Sequence, residues 1–154
     1  MNKTIIAIYG RQAEGKSTTI KLAYEFLISR YPNAIFNPIV DFSGDILSTV
    51  ELNGIRIGFE SQGDPSSRII TQDTLRKLAD KDFNIEMGGC DIIICATRTE
   101  GQTVKKVDEI ASKFGYHTIW ISSFWSPTLN EQVLNEKAAN NILDIIISLI
   151  IGQI

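Results

Sequence analysis

The sequence predicts an α/β domain in which helices cover both faces of a mainly parallel sheet, with a β-hairpin inserted after the first helix. Three observations carry that expectation. The apolar, β-branched run from Thr4 to Tyr9 passes directly into a glycine-bounded turn and then into a helical pattern. The run Asp91-Ile92-Ile93-Ile94-Cys95-Ala96 is apolar without alternation, as in a parallel strand covered on both faces. Asn53-Gly54 separates two apolar runs, and a two-residue hairpin turn favours that pair because both positions take positive φ.

The elements follow in order. Ser17 to Ile28 places Ile20, Ala23, Tyr24, Leu27 and Ile28 on one helical face, and Tyr31-Pro32-Asn33 stops it. Ala34 to Val40 reads as a strand whose Pro38 assigns it to an edge or a strand end. Ile46 to Leu52 and Ile55 to Phe59 are the hairpin arms, and Thr71 to Phe83 is a helix with Leu75, Leu78 and Ala79 inward. Gln102 to Phe114 is a further amphipathic helix ended by Gly115, and His117 to Ser122 is a strand. Asn130 to Ile154 is mostly helical. Beyond Asn141 its apolar residues occupy nearly every side, so it is expected to lie buried on the sheet or against another subunit.

Size and composition bound the function. The 154 residues suit one domain spanning 1–154, and a net charge of −3 argues against a basic nucleic-acid surface. The C-terminal apolar stretch contains Asp144 and falls short of the roughly 20 apolar residues a membrane span needs. Cys90 and Cys95 have no C-x-x-C spacing, and the N-terminus enters the first strand directly. A cytoplasmic protein with unpaired thiols and no leader is expected.

The chemistry centres on Gly10-Arg11-Gln12-Ala13-Glu14-Gly15-Lys16-Ser17, which reads G-x-x-x-x-G-K-[ST]. Glycines let backbone N–H groups approach phosphate oxygens, and the following helix start adds further donors and a positive dipole end. Thr18 extends that donor set into the first turn. Lys16 is expected to face solvent until a phosphate arrives, and Ser17 to offer its hydroxyl to Mg²⁺. In this context the segment from Lys3 to Arg30 resembles the first βα unit of the P-loop nucleoside triphosphatases. The resemblance implies a three-layer P-loop fold, bound ATP and Mg²⁺, and loop residues Gly10 to Thr18 around the phosphates. No Asn-Lys-x-Asp guanine motif is present, which favours ATP over GTP.

Outside the loop the candidates are charged residues at strand ends. Glu60 ends an apolar strand, as a metal-linked or water-orienting acid does, and Glu60-Ser61-Gln62-Gly63 resembles the D-x-x-G of GTPase switch loops. Asp41 is a second metal candidate. Arg98, after the Ile92 to Ala96 run, is a candidate for neutralising charge on a transferred phosphoryl group. Phe124 and Trp125 are expected as base-stacking or packing residues, and His117 as structural. The expected activity is Mg²⁺-dependent ATP hydrolysis, either slow or stimulated by a partner. The alternatives are a small-molecule or nucleotide kinase, using Arg68 and Arg98 on phosphates, and a nucleotide-dependent switch or assembly protein that docks through its apolar C-terminal helix.

Overall fold

The structure, a computed structural model, describes residues 1–11, 14–36, 44–63 and 68–154. Within them the chain runs β1 (Thr4–Tyr9), α1 (Lys16–Arg30), β2 (Ile35–Phe36), β3 (Leu47–Leu52), β4 (Ile55–Glu60), α2 (Arg68–Thr71), α3 (Thr74–Ala79), β5 (Ile92–Thr97), α4 (Gln102–Phe114), β6 (His117–Ser122) and α5 (Glu131–Ile150). Gln12, Ala13 and Asp41 lie outside the described residues, as does most of the strand expected over Ala34 to Val40.

One six-stranded sheet has the order β2-β3-β4-β5-β1-β6. β1 pairs in parallel with β5 and β6, and β4 in parallel with β5; the β2–β3 and β3–β4 pairs are antiparallel. The hairpin turn forms as its sequence demands, with Asn53 at φ 52° and Gly54 at φ 80°. β5 is buried on both faces along its whole length.

Alternation sorts the side chains into two cores. Ile6, Ile8, Ile57, Phe59, Ile94 and Ala96 meet α1 and α5 on one face. Ile5, Ala7, Ile93 and Cys95 meet α2, α3 and α4 on the other. Tyr24 of α1 sets its ring edge-on to Phe59, with centroids 5.3 Å apart. The C-terminal helix follows the first of its two expected placements: Ile142, Leu143, Ile146 and Leu149 are buried against the α1 face. Burial of each such side chain stabilises the fold by about 1.5–3 kcal/mol. Ile151 and Ile154, beyond the helix, are exposed.

The helix expected over Thr71 to Phe83 is shorter and divided. Asp73 adopts left-handed backbone at φ 53° between α2 and α3, and α3 stops at Ala79. Asp80 then accepts hydrogen bonds from the N–H groups of Asp82 and Phe83, so the carboxylate holds a turn there. Cys90 and Cys95 are free thiols, both buried. Burial pushes Cys90 up to about 12 and Cys95 higher still, so neither is a ready nucleophile. Among the described residues no helix is long and apolar enough to cross a membrane.

Candidate functional site

The loop between β1 and α1 opens onto a cleft of about 300 Å³. One wall is Glu14, Gly15, Lys16, Ser17 and Thr18; the other is Asp45 with Ser61, Gln62 and Gly63, and Ala96 and Glu131 complete it. β1 and β5, paired in register to Tyr9 and Thr97, bring the two walls together at their C-terminal ends. Ligands of open α/β sheets bind at that end.

Gly15 turns the chain into α1 with φ 79°, and no side chain caps the helix. A Cβ at Gly15 would stand 2.4 Å from Asn135 Oδ1, so α5 is seated directly on the loop. Gly10 is held by the residue that follows β6, where an added Cβ would meet Ser123 Oγ at 2.7 Å. Both glycines therefore answer to packing as well as to backbone conformation.

Lys16 departs from the sequence expectation. It is only 7% exposed, and its ammonium donates to the carbonyls of Gly10 and Thr97, both at 2.7 Å. The reason is electrostatic: a cation at the floor of the cleft takes carbonyl oxygens in place of water. These bonds tie the loop to β5.

Ser17 Oγ donates to Asp45 Oδ1 at 2.5 Å, and Ser61 Oγ donates to the same oxygen at 2.8 Å. Ser61 Oγ also accepts from the Ile46 N–H at 2.8 Å, which holds the β3 and β4 ends in register. A carboxylate with two hydroxyls is an oxygen donor set of the type a hard cation takes, and Mg²⁺ commonly uses one or two carboxylates plus substrate phosphates. Among the described residues no group of three or more His, Cys, Asp or Glu forms a metal cage. The donors suit a cation that arrives with its ligand.

Glu60 is placed elsewhere. Its neighbour in register is Cys95, on the α2–α3–α4 face, so its carboxylate turns away from α1. It is fully buried and paired with Arg68 Nη2 at 2.7 Å, and it accepts the Gln62 N–H at 3.0 Å. Desolvation raises its pKa, with the hydrogen bond from Arg68 working in the opposite direction. Arg68, 11% exposed, also donates to the Ile46 carbonyl at 3.2 Å. Neither Glu60 nor Arg68 lines the cleft, and neither does Arg98, whose N–H donates to Thr103 Oγ1 at the start of α4.

The residues that sequence reasoning missed are Asp45, Ser61, Glu131 and Asn135. Asp45 had a signal: it directly precedes an arm of the hairpin and so stands at a sheet end. Glu131 and Asn135 had none, because only the packing of α5 carries them to the loop. Gly63 has its explanation in contact: an added Cβ would lie 2.5 Å from the Ala96 carbonyl carbon, so this turn rests on the β5 backbone. No family model, curated protein or solved structure matches the chain.

Proposed function

We propose that this chain is a P-loop nucleotide-binding protein that takes ATP with Mg²⁺ and hydrolyses it. One observation carries the reading: Lys16, the uncapped start of α1 and the Ser17–Asp45 pair all face a single cleft at the C-terminal end of β1. Backbone N–H groups and the Lys16 ammonium hold phosphate oxygens, and Ser17 with Asp45 orients the metal side. Mg²⁺, when bound, would supply charge neutralisation between the terminal phosphates. Gln62 stands on the facing wall, with its Oε1 held by the Arg68 N–H at 3.0 Å, placed to orient a water.

Calorimetric titration of Mg·ATP into the wild type and Lys16→Ala tests the reading. Saturable binding that the substitution removes is the expected result; no binding to the wild type overturns it.

A second observation favours a hydrolysis that serves as a timer for a partner. The connection from β6 to α5 touches the loop at Ser123, and α5 itself touches it at Asn135, while Phe124, Trp125 and Leu129 of the connection are exposed. A ligand that moves the loop therefore moves an apolar outer surface. Trp125 emission changing with nucleotide state is the expected sign.

A further inference from the structure

We infer that Glu14 is a resident competitor for the anion position of the cleft, so that phosphate groups enter only together with a divalent cation. This rests on the nucleotide reading above and adds the form in which the ligand is taken.

Glu14 occupies an open x position of the loop pattern, where the phosphate chemistry asks for no particular side chain. Its side chain is nevertheless only 16% exposed and folds back into its own loop. Oε2 accepts the Arg11 N–H at 3.0 Å, and Oε1 lies 3.3 Å from Arg11 Nε. The same Oε2 stands 3.1 Å from where a Cβ on Gly10 would lie. The carboxylate thus holds a loop N–H of the kind an incoming phosphate oxygen would use.

The charge of the cleft points the same way. Of the described residues that line it, Glu14, Asp45 and Glu131 are carboxylates and Lys16 is the one cation. The Lys16 ammonium already serves two carbonyls, and the hydroxyls on Asp45 bring hydrogen bonds without charge. A bare polyphosphate would add several negative charges beside these carboxylates, and like charges at such range disfavour each other. A polyphosphate carrying a divalent cation brings compensation for Asp45 and itself. A swing of Glu14 out of the loop then gives the Arg11 N–H to the ligand and removes the nearest repulsion.

The test titrates Mg·ATP, ATP in chelator and metal-free pyrophosphate into the wild type, Glu14→Gln and Glu14→Ala at one ionic strength. Gln keeps an oxygen that can accept the Arg11 N–H, so it removes charge alone; Ala removes the competitor. Both variants should bind metal-free ATP and pyrophosphate more tightly by on the order of tenfold, with a smaller gain for Mg·ATP. Should Glu14→Ala not fold, Glu14→Gln carries the test. Mg·ATP binding to all proteins with no gain for the metal-free anions overturns the role of Glu14 and leaves the nucleotide reading standing. No binding of any form, by proteins that each melt cooperatively, overturns both.

Discussion

Asp45 precedes β3 and Glu60 ends the neighbouring antiparallel β4, where Leu47 faces Glu60 in register, yet the two acids have opposite fates. Asp45 accepts two hydroxyls at the mouth of the cleft, whereas Glu60 is sealed in the opposite face with one guanidinium. Alternation fixes the Glu60 side. Ile57 and Phe59 point toward α1, so Ser61 follows them and Glu60 points the other way. Asp45 shares the parity of Leu47 but stands two residues before β3, where the chain is not yet held in the strand, and so it reaches Ser17.

Breaking the Glu60 side should have the largest effect. Glu60→Ala removes the carboxylate partner of a largely buried Arg68 and is expected to cost about 3–5 kcal/mol, read by denaturant unfolding. Glu60→Ala/Arg68→Met should recover most of it. A loss no larger than an exposed pair gives would mean that the pair is not a structural clamp.

On the other side, Asp45→Asn should lower ATP hydrolysis by about 10²-fold, some 2.7 kcal/mol in barrier, with the melting temperature little changed. Glu60→Gln is the counter-test. If its rate per folded molecule falls as far as that of Asp45→Asn, the metal-side acid is Glu60 and the contrast collapses.

Gly15→Ala comes next, since it places a side chain at φ 79° and against Asn135. A cost of about 1–2 kcal/mol is expected from the backbone alone, measured as lost thermal stability. Retention of full stability would show that α5 yields at the loop.

The pH dependence sharpens the comparison further. The folded pKa of Glu60 lies above its ordinary value of 4.5, so the fold favours its protonated form. Its contribution is fully present below pH 4.5 and is lost as pH rises through the folded pKa. The stability of the wild type relative to Glu60→Gln should therefore be greatest at low pH and shrink upward. The opposite slope would mean that the Arg68 pair outweighs desolvation.

The smallest effect concerns Cys95, beside Glu60 in the sheet, whose thiol the Glu60 charge helps to push up. Neither cysteine should be alkylated in native protein at pH 8, and both should be after unfolding without reductant. A mass that shows one internal disulfide would contradict the buried, free thiols.

Much of the architecture was legible because local chemistry agrees with it. The β1–loop–α1 unit, the Asn53-Gly54 turn, the buried β5 and the Gly115 helix end each rest on residues adjacent in sequence. Three things were hidden. The face taken by Glu60 depends on which helices cover the sheet, and the short α2–α3 pair depends on an Asp73 backbone state that no hydrophobic period reports. Part of the cleft surround was hidden as well: Glu131 reaches the cleft, and Asn135 the loop beside it, through the packing of α5 alone.

The central place of β1 has a consequence for how the molecule is made. Among the described residues β1 pairs with β5 and β6, both later in the chain, and the Lys16 ammonium reaches a carbonyl 81 residues further on. Until the ribosome has released β5, the loop has no sheet partner to set its shape, and its second neighbour follows a helix later still. Such distant pairing is slow to nucleate. The segment that should bind ligand thus emerges well before the strands that give it form, and a chain stalled before β5 would carry the whole loop pattern with neither strand to hold it.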